Sequence, residues 1–447
     1  MSEAQPAKNP TNGNGEIRAR LRDMGRSLRH RNFQLFFSGQ LISLIGTWMQ
    51  NIAQSWLVYR LTGSSFLLGL VGFLGQFPVF LLAPVGGMSA DRWNRHRIVI
   101  GTQTASMILA LILALLTLTH MVRVWEIATL AALLGAVNAF DIPARQSFLI
   151  DMVGREDLMN AIALNSSMFN GARVIGPAIA GVLVAWIGEG WCFFANGLSY
   201  IAVIAGLLMM NLGPLHQVVK EAPALEHMAE GFRFIRRTAP MKAIMLLIGL
   251  VSLVAVPYSV LMPIFADRIL HGGARGLGSL MTAAGVGALF GALTLATRRG
   301  VRGLGRWIAL SAISFGVSLV LFSFSRWLWL SVILLVPVGY SVMLQMSSSN
   351  TLIQAMVPDE FRGRAMAAYT MMFMGMAPMG SLFAGGLAAR IGAPWTVAIG
   401  GIGAVAGGAL FLRKLPEIRF EARELIRAQG LATSEPAKEM TAGGIPG

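Results

Sequence analysis

Residues 98–118, with the sequence IVIGTQTASMILALILALLTL, decide the fold class of this chain. The stretch contains no charged side chain, and as a helix it is long enough to cross the roughly 30 Å hydrocarbon core of a bilayer. Residues 243–265 and 395–412 have the same character. Soluble cores rarely contain such runs, so the sequence predicts an all-α integral membrane protein.

The bulk composition agrees with this prediction. The 447 residues are 55% hydrophobic and only 13% charged, which is too little charge to solvate the surface of a soluble protein of this length. Cys192 is the only cysteine, so an intrachain disulfide is impossible and a cysteine-based metal cluster is not expected. We predict no metal, no cofactor and no catalytic residue.

Apolar runs between charged segments indicate twelve transmembrane helices. Residues 1–32 are polar and rich in arginine, and no short apolar segment of the signal-peptide type follows them. The predicted spans are 34–59, 66–90, 98–118, 125–148, 160–187, 191–212, 243–266, 276–297, 305–324, 328–354, 365–389 and 394–412.

The distribution of lysine and arginine predicts the orientation. With the N-terminus inside, most basic residues fall on the inner loops, and the outer loops contain only Arg60, Arg123, Arg268, Arg275, Arg326 and Arg390. This asymmetry follows the positive-inside rule and predicts that both termini are cytoplasmic. It also accounts for the net charge of +15, so nucleic acid is not needed as a partner.

These spans divide the chain into five segments. We predict a cytoplasmic N-terminal segment (1–32), an N-terminal six-helix half (33–212), a cytoplasmic linker (213–242), a C-terminal six-helix half (243–412) and a cytoplasmic tail (413–447). Within the linker, residues 225–237 have apolar residues at helical spacing and a basic end, which predicts an amphipathic helix on the inner membrane surface. The tail begins as a charged helix and ends in a Gly-, Ala- and Pro-rich stretch predicted to be disordered.

The two halves repeat. At an offset of 204 residues, 152–188 align without a gap to 356–392, and the identical pairs include Gly171/Gly375, Gly176/Gly380, Gly181/Gly385 and Gly188/Gly392. The loop sequences MVGRE and MVPDE also correspond, and these are not simply apolar. Duplication therefore explains the match better than composition does, and it predicts two pseudo-symmetric halves with a substrate site between them.

Residues 87–97, GMSADRWNRHR, lie between the second and third predicted spans. They resemble the loop signature of the major facilitator superfamily, a Gly followed by Asp-Arg and further basic residues. The resemblance implies the major facilitator fold and a gating loop formed by Gly87, Asp91, Arg92 and Arg95. Alternatively, the arginines only anchor the topology. In the second half Leu295 stands at the place of Asp91, so we expect gating to depend on the first copy.

Further strings narrow the resemblance. Gly176, Pro177 and Gly181, within RVIGPAIAG at 173–181, resemble the signature of drug/proton antiporters, although close helix packing alone produces a similar pattern. Residues 48–65 (WMQNIAQSWLVYRLTGSS) and 139–153 (AFDIPARQSFLIDMV) resemble the enterobactin-exporter-like branch, which includes macrolide efflux pumps. This branch implies a multi-pass exporter of the bacterial inner membrane.

Few charged residues fall well inside predicted spans, where charge is costly and is therefore a functional hypothesis. They are Asp141, Arg145 one turn later in the same span, and Arg173. Asp141 could carry the coupling proton, or it could pair with Arg95 or Arg173 as a lock on the cytoplasmic side. The resemblance favours the lock, because the family often uses an Asp–Arg–Asp relay here. Arg173 needs a partner of its own, and its role could be purely structural.

The major facilitator fold implies that spans 1, 4, 7 and 10 line the substrate cavity. Span 1 has Gln50, Asn51 and Gln54, which we expect on one face because Gln54 follows Gln50 by four positions and Asn51 by three. The other candidates are Asn138, Tyr258, Tyr340 and Gln345. Hydrogen bonding between helices is an equally good explanation for each of them.

We therefore predict a secondary active transporter that exports small amphiphilic organic molecules, siderophores or drugs, by alternating access and proton antiport. The expected partners are the substrate, H+ and membrane lipid, and the chain is expected to be monomeric. The alternatives are a lysophospholipid flippase and a membrane-embedded enzyme. The sequence contains no HExxH, nucleophile elbow or phosphate-binding loop, which argues against an enzyme and against direct ATP hydrolysis.

Overall fold

The structure, a computed structural model, describes residues 25–211, 238–298 and 300–429, together with Arg233, Ile235 and Arg236. Most of the amphipathic helix expected at 225–237 lies outside the described residues, as does the disordered end expected for the tail. The described residues of Met1–Glu221 form one compact unit with Met262–Gly285. Those of Ala222–Leu261 form a second unit with Val286–Gly447.

Long helices make up almost all of the described chain, and none of its residues forms a strand. The helices are α1 (Arg31–Thr62), α2 (Ser65–Arg92), α3 (Arg95–Leu118), α4 (Val124–Val153), α5 (Leu158–Ile187), α6 (Glu189–Leu208), α7 (Ala239–Val254), α8 (Gly273–Ala296), α9 (Leu304–Phe324), α10 (Leu328–Met356), α11 (Asp359–Ile391) and α12 (Ala393–Ala428). A short 3-10 helix, Arg26–Arg29, precedes α1.

Helix α7 does not end cleanly at Val254. A 3-10 segment (Val256–Leu261), one α-helical turn (Met262–Ile264) and a π-helical turn (Phe265–Ile269) continue it. Pro257 and Pro263 lie in this stretch and lack a backbone donor, which is a common reason for an α-helix to change its hydrogen-bonding pattern. The span predicted at 243–266 is therefore one interrupted helix.

The helices confirm the predicted membrane architecture. Within the described residues, eleven helices are long and apolar enough to cross a membrane. Helix α1 has 32 residues but is more polar, because it contains several glutamines and asparagines that are considered below. Helix α12 differs most from the prediction, since the span expected at 394–412 and the charged helix expected after it form one continuous helix.

Helix packing repeats at an interval of six helices. Helix α1 packs on α5 and α6, and α3 packs on α4 and α6; likewise, α7 packs on α11 and α12, and α9 packs on α10 and α12. Close approach of α2 to α4 and of α8 to α10 depends on glycine in both cases. A Cβ on Gly86 or Gly287 would lie 1.9 Å from the carbonyl oxygen of Ala139 or Val336, respectively. The two pseudo-symmetric halves are therefore present in the fold.

The turn after the repeated helix also has the same backbone in both copies. Gly188 ends α5 with φ 87° and ψ 169°, and Gly392 ends α11 with φ 86° and ψ 158°. This region of conformational space is essentially restricted to glycine. The two glycines aligned by the sequence repeat therefore perform the same structural task.

Candidate functional site

The segment predicted to be the gating loop, Gly87 to Arg95, covers the end of α2 and the first residue of α3. Asn94 begins α3 as its N-cap, because its side-chain oxygen accepts a hydrogen bond of 3.2 Å from the Arg97 amide. Gly87 lies within α2, and a Cβ added to it would meet nothing within 4 Å. Its neighbour Gly86 is the glycine that the close packing of α2 requires.

Arg95 ties the loop to α4. Its guanidinium donates to the carbonyl oxygens of Ala90 at 3.1 Å and Ser147 at 3.3 Å, and it forms an ion pair of 3.3 Å with Asp151. The partner of Arg95 is therefore Asp151 near the end of α4, and not Asp141 as the lock hypothesis proposed. Asp151 was not singled out by the sequence because it falls at a predicted helix end.

Asp91 has no comparable attachment. It is exposed in the final turn of α2, where the helix dipole disfavours a negative charge. None of the ion pairs formed by the described residues includes Asp91 or its exposed neighbour Arg92. The N-terminus of α3 is capped by Asn94 and not by Asp91.

Asp141 occupies a buried polar position in the middle of the first unit. Asp141 is only 4% exposed. Its Oδ1 accepts hydrogen bonds of 2.8 Å from the side chains of both Thr102 and Gln103 on α3. Its Oδ2 lies 3.2 Å from Nε of Arg145, one turn further along α4. Four residues separate the acid from its arginine, so their pairing needs no contact with another helix.

Arg173 is also not the partner of Asp141. Its guanidinium lies 5.8 Å from the centre of the Trp48 ring on α1, at a distance suited to a cation–π contact. This contact gives Arg173 a role in packing α5 against α1. Arg95 and Arg173, the two arginines predicted as alternative partners of Asp141 in the lock, therefore both have other partners in this structure.

The glycines of the α5 signature bring two different helices close. A Cβ on Gly176 would lie 2.5 Å from Cβ of Trp48 on α1, and one on Gly181 would lie 2.9 Å from Cα of Gly278 on α8. The carbonyl oxygen of Pro177 would lie 2.8 Å from a Cβ on Gly278. The signature thus forms a tightly packed seam in the first unit, between α5, α1 and the first part of α8.

The seven predicted cavity residues do not form one set. Gln50 is buried and accepts a 2.7 Å hydrogen bond from Asn196 on α6, whereas Asn51 is exposed. Gln54 and Asn138 are partly buried. Gln50 therefore holds α1 to α6, which is the hydrogen bond between helices that the sequence left open as the alternative to a cavity role.

The remaining candidates lie in the second unit. Tyr258 is buried and its ring meets that of Phe315 edge-on, with 6.2 Å between centroids, and Tyr340 is partly buried. Gln345 is 1% exposed, and its Oε1 has no hydrogen-bond partner among the described residues. The hydroxyls of Ser348 and Ser349, one turn further along α10, are also buried without a described partner. The sequence analysis overlooked these two serines.

Four further polar contacts, made by three acids, were not foreseen. Tyr59 at the end of α1 donates a 2.7 Å hydrogen bond to Asp267, and its neighbour Arg60 forms a 2.8 Å ion pair with buried Glu189. At the other end of α1, Asp157 lies 2.7 Å from Nε of Arg26 and 2.8 Å from Nε2 of His30. All of these acids lie at predicted helix ends, where the sequence offers no reason to prefer one basic partner to another.

The described residues contain no group of three or more His, Cys, Asp and Glu side chains that could hold a metal ion. The candidate site is instead a set of polar contacts between apolar helices, and the packing of these helices repeats in two halves.

Residues 26–439 match the family described as transmembrane secretion effector, MFS_3. The chain belongs to this family of major facilitator transporters. Its membership confirms the predicted superfamily and identifies the chain as a multi-pass membrane transporter, not an enzyme.

Named relatives of this major facilitator transporter include siderophore transporters. It is 27% identical over 375 residues to the staphyloferrin A transporter of Staphylococcus aureus, covering 83% of this chain and 93% of that protein. It is 27% identical over 397 residues to enterobactin exporter EntS of Shigella boydii serotype 4, covering 87% and 93%. The EntS protein of Escherichia coli O81 matches with the same identity and coverage.

Solved structures support the fold. The nucleoside transporter NupG superposes with a TM-score of 0.66 at 13% identity, covering 86% of this transporter and 98% of NupG. A bacterial homologue of the human lysosomal transporter Spinster superposes with a TM-score of 0.62 at 15% identity, covering 89% and 98%. At these identities the likeness concerns the fold alone.

Proposed function

We propose that this transporter exports small amphiphilic organic molecules, of the siderophore or drug type, from the bacterial cytoplasm. The proposal is supported by the staphyloferrin A transporter and the enterobactin exporters, which match over 83% and 87% of the chain. We further propose that the transporter works by alternating access and is driven by proton entry.

The buried carboxylate of Asp141 is the observation that carries proton coupling. A charge inside a span is costly, and Asp141 is stabilised only by Thr102, Gln103 and Arg145 among the described contacts. Protonation would neutralise the acid and weaken its hold on Arg145, which is 20% exposed. The free energy released when a proton binds to Asp141 would then favour a different arrangement of α3 and α4. Since Arg95 and Arg173 have other partners, coupling explains Asp141 better than the lock does.

The gating loop has a separate role in this proposal. Arg95 holds the end of α2 and the start of α3 to α4 through Ala90, Ser147 and Asp151. Asp91 and Arg92 remain exposed and available for a contact in the other state of the cycle. A loop that is bound in one state and exchanges partners in the next can bias a two-state equilibrium.

We propose that the substrate meets Asn51, Gln54, Asn138, Tyr258, Tyr340 and Gln345. Gln50 is excluded from this set because Asn196 already satisfies its side-chain oxygen. The unpartnered Oε1 of Gln345 and the hydroxyls of Ser348 and Ser349 need a polar partner that the described side chains do not provide. Amide and phenol groups among apolar helices suit a ligand with both polar and apolar parts.

The proposed orientation places both termini and the 213–242 linker in the cytoplasm, with the protein in the inner membrane as a monomer. The basis is the arginine asymmetry between alternate loops. This orientation places the gating loop on the cytoplasmic side. It places the contact between Tyr59 and Asp267 at the outer end of α1.

Transport in proteoliposomes tests the proposal. The purified chain should accumulate labelled enterobactin or staphyloferrin A against its gradient when a pH gradient is imposed, and a protonophore should abolish accumulation. A labelled macrolide and a labelled lysophospholipid serve as competing substrates in parallel. Movement of the lysophospholipid alone would replace export with lipid flipping. Accumulation that persists after the pH gradient is collapsed would contradict proton coupling.

A further inference from the structure

A cavity of about 990 Å³ lies within the second unit, where the ends of α7, α9 and α12 meet the segment 300–306. Part of its wall is apolar and includes Ile244 on α7, Leu352 on α10 and Phe411 on α12. The rest is strongly basic, because five arginines line it: Arg302, Arg306, Arg419, Arg423 and Arg427. None of the residues assigned above to the substrate, the gating loop or proton coupling lines this cavity.

Three of these arginines form a stripe on α12. Arg419, Arg423 and Arg427 follow each other at intervals of four residues, which places them on one face of the helix. All three arginines are exposed, and like charges at this spacing repel each other, so a bound anion would relieve their repulsion. Arg302 and Arg306, at the start of α9, contribute to the same cavity and add to the repulsion.

Carboxylates of the described chain do not supply that compensation. Among the described residues, no aspartate or glutamate lines the cavity, and their ion pairs do not include any of the five arginines. Arg298 provides a contrast, because its guanidinium lies 4.3 Å from the centre of the Trp307 ring and donates to the Arg302 carbonyl. The cavity therefore combines five arginines with an apolar wall, and no described carboxylate forms an ion pair with those arginines.

The position of the cavity indicates what kind of anion fits. The apolar part of α12 ends at Leu412, and its charged part begins at Arg413, so the cavity spans the change from hydrocarbon to aqueous surroundings. A free phosphate would use only the arginines and leave the apolar wall uncovered. An amphiphile with an anionic headgroup uses both walls at once.

We propose that this cavity binds an anionic phospholipid, with the headgroup phosphate among the arginines and an acyl chain along the apolar wall. Guanidinium groups donate paired hydrogen bonds to phosphate oxygens, so a single headgroup can compensate several arginines. The bound lipid joins the start of α9 to the end of α12. The proposed orientation places this lipid in the cytoplasmic leaflet. The binding itself does not depend on that orientation, on the substrate or on transport.

Lipid binding by the full-length protein tests the site directly. Purified wild-type chain in detergent is titrated with phosphatidylglycerol and with phosphatidylethanolamine, and bound lipid is counted by native mass spectrometry. The site variant is R423Q/R427Q. The control R413Q/K414Q removes two charges from the same helix at positions that do not line the cavity. Glutamine favours helix about as well as arginine and lysine, so α12 should persist in both variants.

We expect wild type and control to bind phosphatidylglycerol at least tenfold more tightly than R423Q/R427Q, with little discrimination by the site variant between the two lipids. Equal affinity in all three proteins, or an equal loss in both variants, would overturn the site. Inorganic phosphate should not displace the lipid even when the phosphate concentration is many times the lipid concentration. Displacement would show a simple anion site.

Acidic residues of the chain itself are the competing occupant. The variant E221Q/E226Q/E230Q removes three acids of the linker that lie outside the described residues. Lipid binding should be the same in this variant as in wild type. Binding that occurs only after these acids are removed would show that the linker fills the cavity, and would overturn the proposal.

Discussion

The hydroxyl of Tyr59, in the last turn of α1, donates a hydrogen bond of 2.7 Å to the Asp267 carboxylate in the π-helical end of α7. Arg268 adds to the contact, since its guanidinium lies 5.6 Å from the centre of the Tyr59 ring. Gly63 makes room for Arg268, because a Cβ there would lie 2.6 Å from a guanidinium nitrogen. All four residues belong to the first compact unit. They fasten the end of the first helix to the end of the seventh.

Y59F removes this hydrogen bond and keeps the ring. A hydrogen bond to a partly exposed carboxylate is worth about 1 kcal/mol. In Y59F, the population with the ends of α1 and α7 apart should therefore rise about fivefold relative to the population with these ends in contact. The measurement is the labelling rate of N51C in a C192S background, with an impermeant thiol reagent added outside the cell. We expect labelling about fivefold faster in Y59F.

The matched control is Y369F, because the Tyr369 hydroxyl donates to the Met346 carbonyl and not to a carboxylate. It should leave the labelling of N51C unchanged. A labelling rate in Y59F that equals that of the parent would show that the contact with Asp267 does not control access to α1.

D91N should insert and fold normally but transport poorly. Asp91 is exposed in this state and lies at a helix end that disfavours a carboxylate, so losing the charge should change stability by less than about 1 kcal/mol. If Asp91 is bound only in the other state, the transport rate should fall at least tenfold. Thermal unfolding and transport are measured on the same purified protein. The control E424Q removes an exposed acid from α12 and should affect neither.

The sequence predicted the helices well because the determinants of a span are local. Apolar length and charged boundaries can be read along one segment, and the pairs Gly171/Gly375 and Gly188/Gly392 made the repeat visible. The fold then places Gly188 and Gly392 in the same backbone conformation. Helices α7 and α12 needed correction, because 3-10 and π-helical turns interrupt the span predicted at 243–266 and the charged end of α12 continues its span without a break.

Contacts between helices were harder to predict. Asp141 and Asp151 lie on the same helix, ten residues or about 15 Å apart, and either could meet Arg95 as far as the sequence shows. Tertiary packing selects Asp151 and leaves Asp141 to Arg145. Gln50 likewise has the spacing of a cavity residue, and only the position of Asn196 on α6 shows that it is a structural contact.

G181A should be destabilising, and G171A provides the matched control on the same helix. A Cβ on Gly181 would lie 2.9 Å from the Gly278 backbone, whereas one on Gly171 meets nothing within 4 Å. Overpacking of this kind costs about 1–3 kcal/mol, and glycine-to-alanine at an open helical position gains up to about 1 kcal/mol. We expect a lower midpoint of thermal unfolding and slower transport in G181A, with G171A unchanged or more stable. Equal midpoints for both variants would contradict the tight α5–α8 seam.

The proposed orientation predicts the accessibility of both ends of the chain. G13C and T433C, each in a C192S background, should resist an impermeant thiol reagent in intact cells and react after the membrane is made permeable. The expectation follows from the excess of arginine on the inner loops. M121C, in the exposed loop between α3 and α4, is the positive control for the outer side. Labelling of either terminus in intact cells would reverse the proposed orientation.

D141N separates coupling from simple translocation. Asparagine keeps an oxygen that can accept from Thr102 and Gln103 but cannot be protonated, and it no longer pairs with Arg145. If Asp141 carries the proton, uphill transport driven by a pH gradient should fall to background. Counterflow exchange should continue, because exchange requires no net proton movement.

The two modes are measured with the same proteoliposome preparation, with and without an imposed pH gradient. D151N is the comparison, since Asp151 pairs with Arg95 and has no part in the proposed coupling. Because D151N weakens the attachment of the gating loop, it should slow both modes together. If D141N also slows both modes by the same factor, Asp141 acts as a structural or locking residue. If both modes survive in D141N, the proton must be carried elsewhere, since the buried pair of Asp141 and Arg145 would then be needed neither for coupling nor for the conformational change.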